Sequence, residues 1–235
     1  VDLASRGDWN YLIFCDGVNY QCEIKINGSF VVKHEGGFTS FSSPITDGLI
    51  NNSDNFIEIK IDNTLDVART LPLRNTSNYP KNYGGIYRDI YILAVPKLYV
   101  KSSNLYSEID INLNADIKNT VTISGTDVDK YKSEKNLSVR SELLDTGGIV
   151  KASSDAVQFS ISSNSTIQVS NKLSLSGPIY WSPEYPYLYK LKVTIYQGES
   201  IIDSYMSDHG IFQVTRKSGV LMINSAEFKF KGINY

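Results

Sequence analysis

The chain has 235 residues, 41% of them hydrophobic and 20% charged, with a formal net charge of −2. That length accommodates two ordinary domains, and the hydrophobic share excludes a disordered tail. No basic cluster and no apolar run near the ~20 residues of a membrane span is present, so neither a nucleic-acid nor a membrane partner is expected.

The first residues lack the charged and apolar regions of a secretory leader, and the compartment stays open. Alternation with a period of two then runs through almost the whole chain, the pattern of strands rather than helices. Residues 11–16 and 19–26 read as strands. Asn27-Gly28 follows, and residues 29–34 form the return strand of a hairpin, because Asn-Gly tolerates the positive φ of a type I′ turn. Residues 55–63 set Phe56, Glu58 and Lys60 on one face and Ile57, Ile59 and Ile61 on the other.

Residues 81–96 read KNYGGIYRDIYILAVP. The second half is a strand with Ile90, Ile92 and Ala94 opposite Tyr91, Leu93 and Val95, so both faces are open to burial. Gly84 and Gly85 allow positive φ or a close backbone approach. Arg88 and Asp89 place two opposite charges in a β-prone run, which is costly unless they are paired or used. They are therefore candidates for either a sheet-edge ion pair or a functional site.

After Pro96 a second block begins. Strands are predicted at 97–103, 107–116, 119–125, 137–145, 157–162, 165–175, 187–197, 200–208 and 210–215. Short strands at this spacing are what an immunoglobulin-like sandwich requires, and the first block reads as a separate sandwich. The fold class is all-β, and no amphipathic helix is predicted. Two further short strands, 220–223 and 228–230, flank a turn at Asn224-Ser225.

Several residues take plain structural readings. Cys15 and Cys22 have no metal or redox spacing and read as two small buried thiols, although strands that place them face to face would allow a disulfide. His34 has no second histidine nearby and reads as a donor that stabilises its turn. Trp181 packs at the foot of the second sandwich, where Pro183 and Pro186 fix an extended approach to Tyr187. Tyr180, Tyr185, Tyr187 and Tyr189 read as cover for an interdomain surface rather than a sugar platform. The acidic stretch 62–66 lacks the ligand spacing of a calcium loop. Sequons at Asn27, Asn51, Asn75, Asn136 and Asn164 are mostly accidents of an Asn- and Ser-rich chain and matter only in a host that glycosylates.

Four segments appear in order: INGSFVVKHEGGFTSFSSPIT at 26–46, NYGGIYRDIYIL at 82–93, YWSPEYPYLYKLKVTI at 180–195, and HGIFQV with GVLMINSAEFKFKGINY at the end. Together they resemble the non-catalytic front half of glycoside hydrolase family 2, the family of β-galactosidases, β-glucuronidases and β-mannosidases. The resemblance implies a jelly-roll, galactose-binding-like sugar-binding domain at 1–95, an immunoglobulin-like sandwich at 96–217 and the start of a catalytic TIM barrel at 218–235. Both catalytic glutamates, flanking the scissile bond ~5 Å apart for a retaining mechanism, would lie on that barrel. No catalytic residue is expected in this chain, and by itself it should be inactive. Family members carry more chain before the equivalent of Trp9.

By the same resemblance, Asp89 binds a sugar hydroxyl at the rim of the active site, or a nearby cation. No cofactor is implied for this part; Na+ or Mg2+ is a possibility only for the full-length enzyme. Gly84, Gly85, Arg88, His34 and Trp181 are the structural signature. The implied partners are the chain's own catalytic barrel, a carbohydrate substrate and, for the full-length protein, a further copy of itself. Tyr235 stands where many members have Arg, and Asn224-Ser225 replaces Asn-Gly, which leaves the sugar open. The rival reading is a stand-alone carbohydrate-binding or adhesion module.

Overall fold

A computed structural model of the chain describes residues 9–49, 54–68, 70, 83–110, 112–126, 128 and 136–232. Asn51, Asn75, Lys81, Asn82, Tyr235 and the residues before Trp9 lie outside these. The chain divides into two units, Val1–Lys97 and Leu98–Tyr235.

The described strands of the first unit are β1 (Trp9–Cys15), β2 (Val18–Asn19), β3 (Gln21–Ile26), β4 (Ser29–Glu35), β5 (Phe41–Pro44), β6 (Ile57–Asp62), β7 (Gly85–Ile86) and β8 (Ile90–Pro96). They form antiparallel sheets in the orders β5-β1-β8 and β4-β3-β6, with β2 paired to β7. Alternation explains the core: Cys22, Ile24 and Ile26 of β3 point in and are buried, whereas Glu23 and Lys25 point outward. Ile13, Cys15, Val18 and Ile45 meet them. The β3–β4 turn has φ of 49° at Asn27 and 81° at Gly28, the two positive values a type I′ turn needs. The Asn27 side chain also donates to Gly48 O and accepts from the Phe56 amide, each at 2.8 Å.

Two expectations for this unit are corrected. Residues 19–26 are not one strand, because the chain changes sheets at Tyr20: β2 pairs with β7, and β3 pairs with β4 and β6. The two faces of β8 are not both buried. Among the described residues this strand pairs only with β1, and Tyr91, Ile92 and Leu93 are 42%, 42% and 41% exposed.

The described strands of the second unit are β9 (Leu98–Ile109), β10 (Ala115–Gly125), β11 (Leu137–Leu144), β12 (Val150–Ser153), β13 (Val157–Gln158), β14 (Ser165–Leu175), β15 (Tyr189–Gln197), β16 (Ser200–His209), β17 (Val214–Lys217), β18 (Val220–Ile223) and β19 (Ala226–Glu227). One sheet runs β14-β10-β9 and the other β12-β11-β15-β16, with β13 also on β11. Ile117, Val121, Ile123 and Leu173 of the first sheet share a core with Val139, Leu143, Leu191, Val193 and Ile195 of the second. This is the immunoglobulin-like sandwich, and the chain as a whole is all-β; among the described residues the single helical element is the 3-10 turn Thr46–Gly48.

Strand ends differ from expectation where side chains intervene. The strands expected at 97–103 and 107–116 are one strand, β9, ending at Ile109. There the Asp110 carboxylate accepts from the amides of Asn112 and Asn114, both at 2.8 Å, and turns the chain into β10. Of 157–162 only β13 pairs. Of 210–215 only the end, from Val214, is strand, and of 187–197 the strand begins at Tyr189. Residues 228–230 form no strand; the Phe228 amide makes one bond, to Leu221 O at 2.9 Å. Asn224 and Ser225 do form the expected turn, with φ of 50° and 67°. β17, β18 and β19 are an antiparallel sheet, and the expected barrel strand at the terminus runs into residues outside those described.

Candidate functional site: an open cleft on the first unit

The Arg88-Asp89 loop links β7 to β8. Gly85 has φ of 117°, a conformation that favours glycine, and a Cβ on Gly84 would lie 2.4 Å from the Asn63 side chain. The pair thus brings the chain tightly past Asn63 and into the loop. That loop then runs along the end of β1. The Asp16 amide donates to Asp89 O at 2.9 Å and the Tyr87 amide to Gly17 O at 3.3 Å.

A second wall comes from the turn after β4. His34 Nε2 lies 3.2 Å from Gly36 O and 3.4 Å from Thr39 Oγ1, and its ring stacks on Phe41 at 4.2 Å. His34 therefore braces the turn that carries Phe38, Thr39 and Ser40. The Tyr87 hydroxyl donates to Gly37 O and links this wall to the Arg88 loop. Between the walls is an open cleft of about 740 Å³ lined by Asp16, Phe38, Thr39, Ser40, Arg88 and Asp89.

Arg88 and Asp89 are both exposed. The Arg88 guanidinium sits 5.5 Å from the Tyr87 ring centroid, a cation–π distance. Among the described residues, neither side chain forms an ion pair, so the cost of placing these charges in a β-prone segment is met by solvent. Asp16 is half-buried. The Tyr91 phenol is pushed above its ordinary range, first by burial and then by the Asp16 and Asp89 carboxylates. Burial also pushes the Cys15 thiol up to about 11, with Cys22 and Asp16 adding to it. Both cysteines are free and buried. Among the described residues no group of three or more His, Cys, Asp or Glu is arranged to hold a metal ion.

Of the signature residues of the first unit, Arg88 and Asp89 line the cleft, His34 braces the turn that forms its other wall, and Gly84 and Gly85 lead the chain into the Arg88 loop. Trp181 belongs to the second unit, where its amide donates to Ile211 O and its carbonyl accepts from Asn224 Nδ2, both at 2.9 Å. The tyrosines near it form a ladder: Tyr185 stacks on Tyr187 at 6.2 Å, and Tyr187 meets buried Tyr189 edge-on at 4.9 Å. Sequence reasoning did not assign Asp16, Phe38, Thr39, Ser40 or Tyr87 to a site. The available signal was a carboxylate directly before Gly17 at the end of an apolar strand.

The fold is that of a jelly-roll sandwich followed by an immunoglobulin-like one. Residues 98–211 match the family described as glycosyl hydrolases family 2, and the whole chain is similar to members of that family. A β-galactosidase of Thermoanaerobacter pseudethanolicus is 27% identical over 100% of this chain and 30% of its own length. A β-glucuronidase of Mus musculus is 26% identical over 97% of this chain and 36% of its own. A crystal structure of a family 2 glycosyl hydrolase from Bacteroides cellulosilyticus superposes with a TM-score of 0.81 at 19% identity, covering 97% of this chain and 30% of that one. At that identity the likeness shows the fold. The chain spans 30%, 25% and 23% of the length of the first three curated relatives it matches.

Proposed function

We propose that the chain is the non-catalytic front part of a retaining exo-β-glycosidase, a β-galactosidase that releases terminal β-linked sugars. In this reading the two catalytic glutamates lie on a barrel, in the part of the relatives' length that this chain does not cover. The jelly-roll unit supplies Asp89 to the rim of the active site, and the immunoglobulin-like unit, anchored at Trp181, is scaffolding. The supporting observation is the position of Asp89: exposed, on the wall of an open cleft, rather than inside its own sheet. A carboxylate there accepts from sugar hydroxyls and has lone pairs for two of them. Arg88 holds the loop by stacking on Tyr87, while His34, Gly84 and Gly85 shape the walls. The partners in this reading are the barrel and the carbohydrate substrate.

The test is Asp89→Ala in the polypeptide that carries this chain together with the barrel. Transition-state stabilisation on a nitrophenyl β-galactoside should fall by about 2–4 kcal/mol, the scale for a charged hydrogen bond in a closed site, with the melting temperature unchanged. Unaltered kinetics would make Asp89 architectural only. The 235-residue chain alone should show no hydrolysis.

A further inference from the structure

Asp16 lines the same cleft as Asp89, and the proposed role of Asp89 leaves it without a task. Its position is set by backbone, since its amide donates to Asp89 O at 2.9 Å. The next residue, Gly17, has no room for a side chain: a Cβ there would lie 2.8 Å from Tyr87 Cζ and 3.0 Å from Arg88 Cδ. The Asp16 carboxylate is therefore presented to the cleft from a packed floor. It forms no ion pair among the described residues.

The facing wall has different chemistry. Phe38 is 73% exposed on a turn braced by His34, beside the hydroxyls of Thr39 and Ser40. The cleft thus offers one aromatic face, two hydroxyls, two carboxylates and a single guanidinium. A hexose has the complementary make-up: an apolar C–H face for an aromatic ring and hydroxyl donors for carboxylates. A uronic acid would bring a third carboxylate to a cleft lined by two carboxylates and one arginine, and like charges sharing a cleft repel.

We infer that Asp16 and Phe38 complete this cleft as a recognition site for the uncharged terminal hexose of the substrate, with Asp16 the residue that sets preference for a neutral sugar over a uronic acid. The inference rests on the glycosidase reading above and deepens it. Phe38 is the stacking platform and affects neutral and acidic sugars alike. Asp16 discriminates, because it accepts from a hydroxyl and repels a carboxylate.

The experiment compares nitrophenyl β-galactoside with nitrophenyl β-glucuronide on the full polypeptide. Wild type should favour the galactoside. Asp16→Asn should narrow that preference about tenfold, raising KM for the galactoside and lowering it for the glucuronide, with the melting temperature held. Phe38→Ala, a surface change, should raise KM for both by similar factors and leave their ratio alone. An unchanged ratio in Asp16→Asn, or a wild type that favours the glucuronide, overturns the inference. A polypeptide that hydrolyses no β-glycoside instead overturns the glycosidase reading. The cleft is then judged on the 235-residue chain by saturation-transfer NMR with methyl β-galactoside and methyl β-glucuronide. Transfer to the galactoside that is lost in Phe38→Ala supports the neutral-sugar cleft, and absence of transfer overturns it.

Discussion

The amide of Asp16 donates to the carbonyl of Asp89 at 2.9 Å, so the two carboxylates that line the cleft hang from one shared piece of backbone. Neither can be moved without disturbing the other. The contact also explains why Gly17 has no side chain, since the Tyr87 ring and the Arg88 stem occupy that space.

Gly17→Ala tests this coupling. The added methyl must displace the far end of the Tyr87 ring, which is 48% exposed and free to yield. The expected stability loss is therefore small for an overpacking change, about 1 kcal/mol. The larger effect is geometric: the Tyr87 hydroxyl leaves Gly37 O, and the two cleft walls part. Thermal denaturation should show a modest drop, whereas in the glycosidase reading proposed above KM of the full polypeptide for a galactoside should rise severalfold. A stability loss without a KM change would mean that Tyr87 does not hold the walls.

The two thiols give a second prediction. Cys15 is pushed up to about 11 by burial and by its neighbours Cys22 and Asp16, and Cys22 is raised by burial. The thiolate is the reactive form, and at neutral pH both groups remain protonated inside the first core. Native protein should resist iodoacetamide at both positions, and denatured protein should take up two equivalents in mass spectrometry. Rapid labelling of native Cys15 would contradict its burial.

The same residues show what sequence could and could not reveal. Strand β14 was legible to its ends because Ile167, Val169, Asn171, Leu173 and Leu175 alternate with polar residues, and alternation is local. The hairpin at Asn27-Gly28 was legible because positive φ restricts the residue types. β9 was not: its Ser-, Asn- and Lys-rich middle breaks the alternation, yet it stays a strand because β10 pairs along its length. The exposed faces of Ile92 and Leu93 were equally hidden, since an edge strand and a central strand of the same composition look alike in sequence. At the site, Arg88 and Asp89 were visible as charges out of place in a strand. Asp16 was not, because its partnership with Asp89 exists only after distant segments pair.

The second core carries a buried polar cluster that supports a third prediction. Ser141 Oγ accepts from Asn119 Nδ2 and Asn171 Nδ2, both at 2.9 Å, and all three residues are buried. Ser141→Ala leaves two buried amide donors without an acceptor. Each such donor costs roughly 1–3 kcal/mol, so the variant should lose about 2–6 kcal/mol in urea titration. Replacing Ser141, Asn119 and Asn171 together by apolar residues of similar volume should recover most of the loss. A single variant as stable as wild type would mean that water enters the core.

The acid response of the second unit is the fourth prediction. His209 lies 3.1 Å from Ser107 Oγ through Nε2, and burial lowers it below its ordinary 6.5. The unfolded chain then takes up a proton first as pH falls, so stability is flat above pH 6.5, declines below it, and levels off once the folded protein is also protonated. Asp203 acts in the opposite sense at lower pH. Burial raises its carboxyl, although the amides of Val100, donating at 2.8 Å, and of Ser204 oppose the shift. The folded state therefore protonates first, and stability recovers as pH falls through that range. In a Trp9→Phe background, Trp181 fluorescence reports unfolding of this unit alone, because the chain has two tryptophans. His209→Gln should flatten the decline that sets in below pH 6.5. Asp203→Asn keeps an acceptor for Val100 without a buried charge, so it should raise stability at pH 7 and lose that advantage in acid. A His209→Gln variant that keeps the full decline would assign the acid sensitivity to another group.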